Sequence, residues 1–66
     1  MTALTPGTRV RMDARLARSL GVSKRVGRVI DIPVSMLNGH DFLAAFMDVY
    51  GPITFCLDLE DVDVLP

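Results

Sequence analysis

"FLAAFMDVYGPITFCLDLEDVDVL", residues 42–65, is the stretch whose reading decides the fold. Side chains alternate across an extended chain, so Phe42, Ala44 and Phe46 share one face and Leu43, Ala45, Met47 and Val49 share the other. Both sets are apolar, the pattern of a strand covered on two sides, and a strand is expected over Phe42–Tyr50. Gly51-Pro52 reads as a turn. Ile53, Phe55 and Leu57 then alternate with Thr54, Cys56 and Asp58, which predicts a second strand. "DLED", 58–61, reads as a tight polar corner of 3-10 type at Leu59–Val62. Val62–Leu65 reads as a short closing strand.

Working back from there, "SMLNGHD", 35–41, carries Asn38-Gly39, a strong turn signal. Arg25–Val34 is rich in Val and Ile and predicts a strand. Gly27 inside it implies a bulge or a close backbone approach, and Pro33 falls near its end. Before it, "DARLARSLG" has Asp13 as an N-cap and Gly21 as a C-cap, so a turn or two of helix, or a loop, is expected there. Leu16 and Leu20 lie on one face of that segment, Arg15 and Arg18 on another. Pro6-Gly7 launches a first strand over Thr8–Met12, in which Val10 and Met12 alternate with Arg9 and Arg11. Residues 1–6 read as a flexible N-terminus.

The chain of 66 residues reads as one domain over 1–66. A chain so short buries only about 60% of the surface its unfolded form exposes. Cys56 is the single cysteine, so no intrachain disulfide forms, and a reducing compartment is favoured. No run approaches the ~18 apolar residues of a membrane span, and the first ten residues lack a secretory signal pattern. These features together read as a cytoplasmic protein that does not enter a membrane.

Charge is split along the chain. Residues 1–28 hold all seven basic side chains and one acid, Asp13, a net of +6; residues 29–66 hold seven acids and no base, a net of −7. Two sets that neutralise each other within the fold give one reading. A basic surface and an acidic surface that each meet a partner give the other.

Five short strands with the main excursion after the first, and a 3-10 corner before the last, are the layout of an SH3-like barrel. "PGTRVRM" resembles its opening strand, "VGRVIDI" the bent second strand of KOW-type barrels, and "FMDVYGPITFCLDLEDVDVL" the last three strands. The expected fold is therefore all-β: a small five-stranded SH3-like barrel with a short helical or loop excursion after strand one. KOW, Tudor-like and Sm-like barrels often bind nucleic acid or ribonucleoprotein. The resemblance thus makes Arg9, Arg11, Arg15, Arg18, Lys24, Arg25 and Arg28 candidate nucleic-acid contacts, as phosphate-positioning side chains. The lack of Trp and the small number of aromatics argue against base stacking.

Little points to catalysis. His40 follows Asn38-Gly39 and reads as an exposed loop residue. Cys56 lies among apolar neighbours and reads as a structural thiol. One His and one Cys do not supply the usual zinc ligand set. The four carboxylates of "DLEDVD", 58–63, lack EF-hand spacing and a turn Gly. The plasmid-encoded type II dihydrofolate reductase is similar over "GTRVRM" and loosely over "GPITFCL". That family holds its ligands with a Val-Gln-Ile-Tyr stretch, where this chain has Ile53, Thr54, Phe55 and Cys56, without the Gln or the Tyr. The chain thus reads as a non-catalytic module with no cofactor and no metal. It is expected to contact protein, as a homo-oligomer or within a larger complex, through Leu43, Met47 and Val49. That face has a rival cover in cis, Leu16 and Leu20 of the excursion. The expected core is Val10, Val29, Phe46, Ile53, Phe55 and Val62.

Overall fold

A computed structural model describes residues 4–66 of the chain. Five antiparallel strands form one sheet: β1 (Arg9–Met12), β2 (Val26–Ile30), β3 (Phe42–Asp48), β4 (Gly51–Leu57) and β5 (Val62–Val64), in the order β4-β3-β2-β1-β5. One helix, α1 (Ala14–Leu20), follows β1, and 3-10 turns occupy Val34–Met36 and Leu59–Asp61. The all-β class read from the sequence holds. β4 and β5 are the two edges of the sheet, with no ladder between them among the described residues.

The core lies on one face of this sheet. Val10, Met12, Val29, Phe42, Ala44, Phe46 and Leu57 are buried there with Ala17 and Val22. Side chains from four strands thus meet in one cluster. Partial cover comes from α1, which buries Ala17 and packs Leu16 against the cluster. Of the segment read as a flexible N-terminus, residues 1–3 lie outside the described residues, and Leu4 packs against the core.

Local chemistry explains the helix. The Asp13 carboxylate accepts hydrogen bonds from the Arg15 and Leu16 N–H groups at 3.1 and 3.3 Å. Gly21 ends the helix at φ 75°, a left-handed position that favours glycine. The Val22 N–H then reaches back to the Ala17 carbonyl at 2.9 Å.

Several boundaries differ from the sequence reading. β2 stops at Ile30 rather than running to Val34, because Asp31–Pro33 leaves the ladder and a 3-10 turn begins at Val34. The β3–β4 hairpin turns at Val49-Tyr50, and Gly51 and Pro52 are already paired, opposite Asp48 and Met47. Gly51 takes φ 115° to close that turn. Ile53, Phe55 and Val62, expected in the core, are only half-buried, since they sit on the two edge strands.

Candidate docking face

The face of the sheet opposite the core is set by register. Arg9 stands opposite Arg28 and Arg11 opposite Val26. Arg28 in turn stands opposite Ala45, and Ile30 opposite Leu43. On the far side of β3, Leu43, Ala45 and Met47 stand opposite Cys56, Thr54 and Pro52. Directly paired residues point to the same face. Ala45, Thr54, Arg28 and Arg9 therefore form a middle row. It is flanked by Leu43, Ile30 and Cys56 on one side, and by Met47, Pro52, Val26 and Arg11 on the other.

Much of this face is apolar and open. Met47 is 54% exposed, Val26 45% and Ile30 37%, while Leu43 and Ala45 are half-buried. Val49 is also exposed, but it belongs to the hairpin turn rather than to the face of β3. A shallow groove runs between Arg9, Arg28, Val26, Ala45 and Met47. The excursion does not cover it: Ala17 of α1 is buried in the core cluster and Leu16 packs against it. Val26 and Ile30 belong to this face as much as Leu43 and Met47 do. Their signal was present in the alternation of "VGRVI", where Gly27 and Val29 face inward and Val26, Arg28 and Ile30 outward.

The basic residues divide among several places. Arg9 and Arg28 stand side by side on the outer face, a like-charge pair that is unfavourable in itself. Arg9 donates to the Pro66 carbonyl at 3.3 Å. Arg11 meets Asp63 across the β1–β5 pair at 3.3 Å, the one Arg–carboxylate pair among the described residues. With both partners exposed it contributes little stability. Arg25 donates to the Met12 carbonyl at 2.9 Å. Arg15 and Arg18 are exposed on α1, and Lys24 is exposed in the connection to β2.

Asp41, Asp58 and Asp61 of the acidic half come together at the corner before β5. The Leu59 N–H donates to the Asp41 carboxylate at 2.8 Å, and the Asp58 N–H to Asp61 at 3.1 Å. His40 Nδ1 lies 3.3 Å from Asp58 Oδ2. These carboxylates satisfy backbone donors of the 3-10 turn and so act as its braces. Cys56 is half-buried, and its place opposite Leu43 puts it on the outer face rather than in the core.

No family model matches the chain, and no curated protein or solved structure matches it. No helix among the described residues is long and apolar enough to cross a membrane.

Proposed function

We propose that this chain is a non-catalytic SH3-like β domain that works by docking protein, a second copy or a larger partner, on the outer face of β2 and β3. The observation that carries the reading is the open apolar set Val26, Ile30, Leu43 and Met47, on a sheet whose other face already holds the core. These side chains are already about half covered, so each one fully buried by a partner gains roughly half of the ~1.5–3 kcal/mol that a fully exposed one would. The order of strands, excursion and 3-10 corner supports the SH3-like part of the reading. A photo-crosslinking side chain placed at Met47 in cells tests it. A discrete adduct at Met47, absent when the same group replaces the exposed Ser19 of α1, is expected. Equal labelling at the two positions, or none at Met47, overturns the reading.

A second reading, nucleic-acid binding in a cytoplasmic setting, draws on the directly opposed Arg9 and Arg28. Arg15, Arg18 and Lys24 would add phosphate contacts. Binding of this kind is weak, indifferent to sequence and steeply salt-dependent. Reversing Arg9, Arg28, Arg15 and Arg18 to Glu is expected to abolish any retention of a generic oligonucleotide. Retention that survives the reversal removes this reading.

A further inference from the structure

We propose that two copies of this chain join through their β4 edges, antiparallel about a two-fold axis at Thr54, into one continuous sheet. The inference rests on the edge, not on the outer-face reading above.

The two edges of the sheet differ. β5 has three residues, carries Asp63 and follows Glu60 and Asp61. Two β5 edges would bring acids together. β4 has seven residues, Gly51–Leu57, and no charge at all. Edge strands are commonly guarded by charge or by proline; β4 carries no charge, and its one proline, Pro52, lies near the start of the strand and leaves Thr54 and Cys56 free to pair.

Pro52 fixes which backbone groups β4 presents. It has no N–H, yet it sits in the ladder opposite Met47, so its nitrogen faces away from β3. By alternation, Thr54 and Cys56 also turn their backbone groups outward, while residues 51, 53, 55 and 57 bond to β3. This outward set is self-complementary. With Thr54 opposite Thr54 of the second copy, each Thr54 N–H meets the other's carbonyl. Each Cys56 N–H meets the Pro52 carbonyl of the other chain. Pro52 then only accepts, and the Cys56 carbonyl opposite it goes without a donor, so four bonds rather than six join the two strands.

The same register completes the core. Ile53 and Phe55 are half-buried on the inner face, and Phe55 packs against the core cluster. Around an axis at Thr54, Ile53 of each copy faces Phe55 of the other, in the closely spaced non-hydrogen-bonded position. The exposed hairpin tip, Val49 and Tyr50, comes opposite the Asp58–Leu59 corner of the second copy, where Leu59 is itself exposed. A two-fold pairing of this kind closes on itself and stops at two chains.

Sedimentation equilibrium and directed crosslinking test the proposal. The wild-type protein is expected at twice its 7.2 kDa mass. Thr54→Pro removes the central donor, which does not bond to β3, and is expected to give a folded monomer by circular dichroism. In a Cys56→Ser background, Thr54→Cys is expected to form a disulfide-linked dimer under mild oxidation, since paired α-carbons lie about 5.5 Å apart. Ser19→Cys in the same background is not. Two Cys56 residues would stand about 14 Å apart in this register, at ~3.4 Å per residue, so the wild type is expected not to crosslink. A wild-type protein that sediments as a monomer at high concentration overturns the proposal. A dimer that persists in folded Thr54→Pro, or a Thr54→Cys variant that does not crosslink, also overturns it. If Thr54→Pro unfolds, the crosslinking result decides. A dimer broken by Met47→Glu but not by Thr54→Pro overturns the edge pairing and leaves the outer-face reading standing. The opposite pattern supports the edge.

Discussion

The ring of Phe46 occupies the place where a side chain on Gly27 would stand. The two residues are directly paired across β2 and β3. A β-carbon built on Gly27 would lie 2.6 Å from Phe46 Cδ2, and it would also collide with the Ala45 carbonyl oxygen. The close approach implied by a glycine within a run of Val and Ile is therefore a ring lying against bare backbone.

Gly27→Ala is expected to destabilise the domain by about 1–3 kcal/mol, the usual range for forcing extra volume into a packed core. Urea denaturation reads the loss as a lowered midpoint. In a Phe46→Leu background the loss is expected to shrink, because part of the obstruction is gone. It is not expected to vanish, since the Ala45 carbonyl stays in place. Equal losses in both backgrounds would show that the ring is not what excludes the methyl group.

Phe46→Ala is expected to remove about 3–5 kcal/mol, the range for a large core aromatic. Phe46 is 1% exposed and sits 6.2 Å, ring centre to ring centre, from Phe55. A loss of that size approaches the whole stability of a small domain, about 5–15 kcal/mol at most for ordinary proteins. A loss below about 1 kcal/mol in urea denaturation would place the centre of the core elsewhere.

Arg28→Glu is expected to stabilise the isolated domain by about 0.2–1 kcal/mol. It replaces a like-charge pair with Arg9 by an opposite-charge pair at the same register. The gain should fade as salt is added. Thermal melts at low and high salt read both effects. A loss of stability at low salt would mean that Arg28 makes a favourable contact that its pairing with Arg9 conceals.

Asp13→Ala is expected to cost about 1 kcal/mol through loss of the helix cap. Both capping bonds come from one carboxylate oxygen. Asp13→Asn should retain most of the stability, because the amide oxygen still accepts. If Asn proves as damaging as Ala, the charge rather than the hydrogen bonds holds the helix start.

The elements legible in the sequence were those whose signals are local. Asp13 and Gly21 mark the helix because capping is a chemistry of single residues. The alternation in "FLAAFMD" marks β3 with its two faces. Asn38 at φ 52° and Gly39 at φ 84° form the expected turn. The hairpin tip was displaced by two residues because Val49 and Tyr50 carry no turn signal, whereas Gly51-Pro52 carries a strong one and lies inside the strand. Alternation also does not say which strand is an edge. Ile53 and Phe55 repeat with the period of core residues, and only the sheet order shows that β4 lacks a neighbour on one side. The outer apolar face is only half legible in the alternation of β3; its other half, Val26 and Ile30, follows from the register with β2.

The pairing of β1 with β5 sets when this domain can assemble. Val10 stands opposite Val64 and Met12 opposite Val62, strands joined across nearly the whole length of the chain. The Asp13 N–H also reaches the Asp61 carbonyl at 2.9 Å. The core residues Val10 and Met12 therefore wait, during synthesis, for a strand made well after them. The β3–β4 hairpin can form as the chain grows, since its contacts are local, but the pairing of β1 with β5 is a late, long-range event of the slow kind. Until Val62–Val64 is in place, Val10 and Met12 lack the strand that pairs beside them.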